Sequence, residues 1–454
     1  MDLRSPTRDL FLDAAERATR YAESVKRRSV VPSADALEAL TRLSGTLPEE
    51  PQAPAEILAL LDEVGSPATV ATTGGRYFGF VIGGALPISI AAHWLADTWD
   101  QNATLRVMSP VAAYVEDVVL DWIIDLLRLP KACGGALVTG AQMANFTCLA
   151  AARHAVLERA GWDVEEKGLF GAPEIDVVVG AEAHATLYKA LAMLGLGRER
   201  VITVPADEQG RIQAHLIPKL DRPAILCTQA GNVNSGAFDP IAEICAVAKG
   251  HNAWVHVDGA FGVWARVAPE FAHLAAGLEE ADSWAADAHK WLNIPQDCGV
   301  ALIREPAHLT GAMSISAAYL STSSAREPMH HGPESSRRAR GIEVWAAVRA
   351  LGRDGLAELI TRHCRQARKF AAGLADAGFE VLNEVVLNQV LVSFGSDKVT
   401  QRVIAGVQAD GTCWCGGTEW HGKRAMRISV SSWATTDEDV ETSLGAMIRI
   451  ARQA

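Results

Sequence analysis

The sequence has 454 residues, of which 49% are hydrophobic and 21% are charged, and its formal net charge is −12. A chain of this size and composition is expected to form a globular protein with a large core and more than one domain. The acidic balance argues against a nucleic-acid-binding protein, because a phosphate backbone attracts basic surfaces.

The first part of the chain is expected to be helical, because Leu10, Ala14 and Ala18 recur at helical spacing with charges between them. The amino terminus lacks the apolar core of a signal peptide. The most apolar stretch, residues 78–92, is short for a membrane span and contains three glycines and a proline. These features favour a cytoplasmic protein that does not bind a membrane.

The middle of the chain alternates short apolar runs with Ala-rich helical stretches, such as residues 145–159 and 241–249. Buried strands that alternate with helices indicate an α/β fold with a mainly parallel sheet covered on both faces. The predicted strands are residues 136–139, 176–179, 201–204, 224–228, 253–258 and 300–303.

The last part of the chain predicts a smaller α+β domain. A long helix is expected over residues 341–374, followed by strands near residues 381–394 and 425–430 and a helix over residues 437–452. The predicted organisation is a helical segment over residues 1–70, a large α/β domain over 71–340 and a small domain over 341–454.

The cysteines predict neither a disulfide framework nor a metal site. All eight are scattered along the chain, which is typical of reduced core thiols. Cys413, Cys415 and His421 could be read as zinc ligands, but they lack paired CxxC spacing and a fourth ligand. We expect them to belong to a strand, and we expect no metal.

Two candidate binding residues follow predicted strands, where ligands bind in α/β sheets. The small residues around Ala141 and Gln142, between a strand and a helix, suit a phosphate held by backbone N–H groups. His184 follows the strand DVVVG and is either a ligand contact or a hydrogen-bonded structural residue.

Two further candidates carry charge. Asp258 ends an apolar strand and either meets a cation or proton donor or caps a following helix. His289 and Lys290 follow in DAHKW, where a buried lysine amine would be suited to imine chemistry, although a lysine at a helix edge is also common. Together, a phosphate turn, an aromatic ring, an acid and a lysine indicate pyridoxal 5'-phosphate as cofactor.

These motifs resemble the group II pyridoxal phosphate-dependent amino-acid decarboxylases, which include the glutamate and aromatic L-amino-acid decarboxylases. The similarity runs from GRYFGF at residues 75–80 to MRISVSSWATTDEDV at residues 426–440. HVDGA followed by DAHKW is its most specific part, supported by GAFDPI at residues 236–241 and SRRARGIEVW at residues 336–345.

The resemblance implies an aspartate-aminotransferase-type (fold type I) structure and a role for each matching residue. Lys290 would form the Schiff base, His184 would stack on the pyridine ring, and Asp258 would pair with its nitrogen. Ala260 would pack on the opposite face of the ring, and Phe80 would line the substrate pocket. The other implied site residues are Ala141, Gln142 and Ser283 at the phosphate, Asn232 near the cofactor and Arg427 facing a carboxylate.

Two departures from the family concern the phosphate and the proton donor. Asp287 stands where many relatives have asparagine near the phosphate. The loop over residues 320–336 lacks the tyrosine that protonates the product in relatives. We expect His330 and His331 to replace it as imidazolium donors, with His289 or water as the alternative.

The resemblance also implies a homodimer with active sites at the interface, in which residues 1–70 pack on the partner. The expected activity is α-decarboxylation of an L-amino acid to an amine and CO2. The alternatives are an aldehyde-forming oxidative enzyme, a carbon–carbon lyase or an aminotransferase of the same fold, or a catalytically silent cofactor-binding protein.

Overall fold

The computed structural model describes residues 7–315 and 325–454. The chain begins with three helices, α1 to α3, none of which is well buried: α1 has no buried residue and α3 has only Val64. Their bounds are Thr7–Ser24, Ala34–Ala39 and Pro54–Ala68. Within the described residues, no helix is both long and apolar enough to cross a membrane.

A sheet of seven strands forms the centre of the larger part of the structure. The strand order is β1-β7-β6-β5-β4-β2-β3, and all neighbours are parallel except that β7 is antiparallel to both β1 and β6. The strands are Gly134–Val138, Asp176–Gly180, Ile202–Val204, Ala224–Gln229, Trp254–Asp258, Ser283–Asp287 and Gly299–Ile303.

Helices pack on both faces of this sheet, and the residues of its central strands β4 to β7 are therefore almost all buried. The Ala-rich helix α6 lies across β5, β6 and β7, and its small side chains allow this close approach. The helices of this part are α4 to α10, with bounds Pro87–Trp99, Pro110–Leu126, Ala141–Arg159, Val164–Lys167, Ala185–Met193, Ile241–His251 and Pro306–Met313.

The carboxy-terminal part contains a second, four-stranded antiparallel sheet in the order β10-β11-β9-β8. Its strands β8 to β11 are Glu380–Val381, Gln389–Ser393, Gly416–Trp420 and Lys423–Ser429, and its helices α11 to α13 are Gly341–Asp376, Asp397–Asp410 and Asp437–Ala451. The helix expected as one continuous element is interrupted, because Gly352 has a left-handed φ of 61°.

The six strands predicted in the middle of the chain are all present, with ends shifted by one or two residues. β6 was missed, and the strand expected to contain Cys413, Cys415 and His421 is instead β10, which lies between Cys415 and His421. β6 reads Ser-Trp-Ala-Ala-Asp and β10 contains two glycines, so neither has the β-branched run that marks the other strands.

Candidate active site

A cavity of about 370 Å³ opens at the carboxyl ends of the strands of the large sheet. It gathers nine of the residues singled out from the sequence, although these are spread over almost 350 positions of the chain. They are Phe80, Ala141, Gln142, His184, Asp258, Ala260, His289, Lys290 and Arg427.

The amino end of α6 forms one wall of this cavity. Gly140 precedes the helix and has no side chain to cap it. A Cβ atom at Gly140 would lie 3.1 Å from His289 Cε1 and 3.3 Å from Asp287 Oδ1, so the turn is kept open by the absence of a side chain. The N–H of Ala141 instead donates to Asp287 Oδ1. An amide donor at a helix amino end suits an anion.

Lys290 lies in the turn that follows β6, with its side chain 23% exposed to the cavity. Its Nζ is 2.7 Å from Asp287 Oδ2, three residues earlier. The backbone of Gly83 packs directly on the lysine, because a Cβ atom at Gly83 would come within 1.7 Å of the Lys290 carbonyl oxygen. A side chain at Gly83 would therefore displace the turn that carries the lysine.

Asp258 ends β5 and is anchored from both sides. Its Oδ1 accepts the N–H of Ala260 at 3.2 Å, and its Oδ2 accepts Nδ2 of the buried Asn145 on α6, also at 3.2 Å. Only 5% of Asp258 is exposed. The carboxylate is thus fixed at the floor of the cavity.

A chain of hydrogen bonds continues from Asn145 into the core. His256 Nε2 lies 2.8 Å from Asn145 Oδ1, and His256 Nδ1 lies 2.9 Å from Ser283 Oγ, which accepts the indole N–H of Trp254. Burial lowers the pKa of His256 to about 3, so its ring is neutral. A neutral ring has one donor and one acceptor nitrogen. Every bond is satisfied if Ser283 donates to His256 Nδ1, His256 Nε2 donates to Asn145 Oδ1, and Asn145 donates to Asp258.

Sequence reasoning missed Asn145 and His256 as supports of the carboxylate. The available signal was the alternation in WVHVD, where Trp254, His256 and Asp258 fall on one face of the strand. The position of Asn145 depends on how α6 packs against the sheet, which no local pattern encodes.

His184 stands at the mouth of the cavity and caps α8. Its Nδ1 accepts the N–H of Thr186 at 3.3 Å and lies 2.7 Å from the hydroxyl of that residue. The ring faces the open cavity, yet the surrounding protein removes enough water to lower its pKa, with Asp258 acting in the opposite direction. His184 is therefore a hydrogen-bonded structural residue that also lines the cavity, and its contact with a ligand stays a prediction.

Phe80 and Arg427 form the outer part of the cavity. Phe80 is 59% exposed, adopts a left-handed φ of 54°, and stacks on Trp414 with ring centroids 5.3 Å apart. The guanidinium of Arg427 bonds to Asn234 Oδ1 at 3.3 Å, and no carboxylate of the described chain lies within ion-pair distance of it. Burial lowers the pKa of Arg427, and its charge is available to an anionic ligand.

The structure corrects two of the expected cofactor contacts. Ser283 begins β6, about 13 Å along the strand from the end that carries Asp287, and its hydroxyl serves His256 instead of a phosphate. Asn232 is buried; its Oδ1 accepts the N–H groups of Asn234 and Ser235, and its Nδ2 donates to the Glu182 carbonyl and to Gln229 Oε1. Neither residue lines the cavity.

His330 and His331, which were expected to donate a proton, do not lie at the cavity of their own chain. Burial lowers the pKa of His331 to about 4, with the charge of Arg326 acting in the same direction, so His331 is neutral near pH 7 and not an imidazolium. Its Nδ1 faces the carbonyl of Glu327 at 3.1 Å, and His330 lies in the adjoining short 3₁₀ turn. Of the loop that carries them, residues 320–324 lie outside the described part of the chain.

Comparison with known proteins agrees with this geometry. A family model described as the pyridoxal-dependent decarboxylase conserved domain matches residues 43–395. The chain belongs to the pyridoxal-dependent decarboxylases. An aromatic-L-amino-acid decarboxylase from Drosophila lebanonensis is 30% identical over 368 residues, covering 74% of this chain and 88% of the relative. A phenylacetaldehyde synthase from a Rosa hybrid cultivar is 31% identical over 314 residues, covering 63% and 59%.

Among solved structures, Oryza sativa TDC with PLP and tryptamine has a TM-score of 0.91 at 22% identity, covering 100% of this chain and 99% of that one. The expected aspartate-aminotransferase-type fold is confirmed. The protein is a carboxy-lyase of this family with pyridoxal 5'-phosphate as cofactor. The cavity fits this group chemically, since it combines an amine, a fixed carboxylate and an open turn at a helix amino end.

Proposed function

We propose that this decarboxylase converts an L-amino acid to the corresponding amine and CO2 at the cavity that holds Lys290. The observation that carries the proposal is that Asp258, at the end of β5, and Lys290, just after the neighbouring parallel strand β6, line one cavity. An amine able to bind the cofactor aldehyde and a carboxylate able to meet the ring nitrogen thus face one space.

The cofactor, when bound, supplies an electron-withdrawing ring that accepts the electrons of the bond broken at the substrate Cα. Asp258 stabilises the protonated form of the ring nitrogen, and the bonds from Asn145 and Ala260 keep its carboxylate in place. His184 and Ala260, which both line the cavity, would hold the ring between them. Lys290 would hold the cofactor through its amine, which faces the cavity.

Arg427 binds a carboxylate of the substrate in this proposal. Its guanidinium has only an amide oxygen as a side-chain partner among the described residues, and a charge-assisted bond to a carboxylate is about twice as strong as a neutral one. Phe80, stacked on Trp414, covers the apolar side of the substrate. Which amino acid binds is decided by residues at this outer end.

We further propose that the protein is a homodimer whose amino-terminal helices cover the partner. Large apolar side chains are exposed along α1, α3 and α4, and an isolated chain would leave them in water; they are Phe11, Leu12, Ile57, Leu61, Trp94 and Leu95. Sedimentation should give a dimer that Leu95→Asp dissociates, while Leu216→Asp, a matched exposed leucine elsewhere, leaves it intact. A fully active monomer would contradict this proposal. The cytoplasmic location stays a prediction.

A second outcome, aldehyde formation, is favoured by one observation. The loop lacks the tyrosine donor of relatives, and a rose relative is named a phenylacetaldehyde synthase. In that reaction O2 and water are consumed, and the amino acid gives aldehyde, CO2, ammonia and hydrogen peroxide.

The test is incubation of the purified holoenzyme with a panel of aromatic, acidic and diamino acids, with CO2, amine, aldehyde and hydrogen peroxide measured together. The proposal predicts equal amounts of amine and CO2 from at least one substrate, without peroxide. Aldehyde with stoichiometric peroxide would assign the oxidative reaction. A keto acid without CO2 would overturn both in favour of transamination.

A further inference from the structure

Asp287 places a second carboxylate beside the amino end of α6, with only 3% of its side chain exposed. One oxygen accepts the N–H of Ala141 and lies 3.5 Å from His289 Nε2, while the other is 2.7 Å from Lys290 Nζ. A single carboxylate therefore holds both the helix amide and the lysine on which cofactor binding is proposed to depend.

The contact with Ala141 fills the role of an anion at the helix end. The first N–H groups of a helix have no partner within the helix, and the helix dipole favours negative charge there. Gly140 provides no capping side chain, so the carboxylate of Asp287 is the acceptor within the described chain. A phosphate that binds the same amide has to displace this carboxylate or lie against it.

The charged groups around Asp287 do not offset the repulsion between its carboxylate and a phosphate at the Ala141 N–H. Lys290 and His289 face Asp287 from its own turn, and from other elements the cavity adds His184, Asp258 and Arg427. Lys290 Nζ would bind the cofactor aldehyde, so it would no longer be free to pair with Asp287 Oδ2 at 2.7 Å. Two anions then share one amide in a site with little water, where charge repulsion is strong.

We propose that Asp287 competes with the cofactor phosphate for the amino end of α6 and thereby weakens the binding of pyridoxal 5'-phosphate. The inference rests on the proposed function and on the placement of the cofactor phosphate at Ala141, which the family resemblance implies. It predicts a holoenzyme that releases its cofactor readily and that is loaded according to the concentration of free cofactor.

The test measures cofactor affinity directly, by titrating the cofactor-free protein and following absorbance and tryptophan fluorescence. Asp287→Asn keeps the shape and an oxygen for Ala141 but removes the charge. It should lower the Kd for pyridoxal 5'-phosphate about tenfold or more, the size of one charged hydrogen bond. Asp287→Ala, which adds no new donor, should also lower this Kd, although less.

Two comparisons make the test specific. The Kd for pyridoxal, which lacks the phosphate, should change by less than about threefold in Asp287→Asn, well under the effect of one charged hydrogen bond. Asp282→Asn is the matched control, since Asp282 also accepts one backbone N–H, that of Val255 at 2.7 Å, beside the opposite end of β6. It should leave both Kd values unchanged.

An unchanged or higher Kd for pyridoxal 5'-phosphate in both Asp287 variants would overturn the proposal. Equal gains for pyridoxal and its phosphate would overturn it too, because they would assign the effect to the Lys290 pair alone. Since these readouts need no turnover, they stand apart from the proposed function: tighter binding without CO2 release would sink only the proposed activity.

Discussion

Asn145 offers the sharpest test of how the carboxylate of Asp258 is held. Asn145→Leu keeps a buried side chain of similar size but removes the donor to Asp258 Oδ2 and the acceptor for His256 Nε2. A lost bond to a charged group costs about 1.5–3 kcal/mol, and the unpaired His256 N–H adds about 1–3 kcal/mol. We expect a total loss of about 3–5 kcal/mol in the free energy of unfolding.

The assay is urea unfolding of the cofactor-free protein, followed by tryptophan fluorescence. Thr147→Val is the control, because Thr147 is equally buried on α6 but its hydroxyl bonds only to the Met143 carbonyl of the same helix. The control should lose about 1 kcal/mol or less. If Asn145→Leu is as stable as the control and gives an unchanged cofactor spectrum, the hydrogen-bond chain does not support Asp258.

Two further predictions concern charge. Arg427→Met should raise the KM for the amino acid by about 10–100-fold, because one charged hydrogen bond to the substrate carboxylate is lost. Inhibition by the amine product, which has no such carboxylate, should not change. Arg424 is exposed on the same strand, so Arg424→Met should leave the KM unchanged, and an unchanged KM in Arg427→Met would remove Arg427 from the substrate site. His331 has a pKa of about 4 in the folded protein and 6.5 as its ordinary value, so the unfolded chain binds the extra proton and stability falls as pH drops from about 6.5 to 4. His331→Gln should remove up to about 3 kcal/mol of that loss, and an identical pH profile of unfolding would refute the burial argument.

Most of the sheet and of the site could be predicted from the sequence, because short local patterns mark the strands and the residues at their ends. Buried parallel strands read as apolar runs, and parallel strands bring their carboxyl ends to one edge. Asp258 ends such a strand and could be placed from it, whereas Lys290 follows β6, which the apolar pattern did not reveal, and was placed by the DAHKW motif instead.

The failures involve positions that depend on register or on distant packing. Ser283 was assigned to the phosphate through the family resemblance, and its position at the far end of β6 could not be seen because that strand was not recognised. His331 was expected to be an imidazolium donor because a histidine can donate a proton near neutral pH, yet it is buried beside Arg326 and Glu116. Asn145 reaches Asp258 only through the way α6 crosses the sheet.

The central claim, that this cavity is the active site and Lys290 its cofactor lysine, is tested most directly by borohydride reduction of the holoenzyme followed by peptide mass spectrometry. The account predicts that the pyridoxyl group is found on the peptide containing Lys290, and that Lys290→Ala carries no covalent label. A label on another lysine of the native protein, such as Lys189 or Lys249, would contradict it.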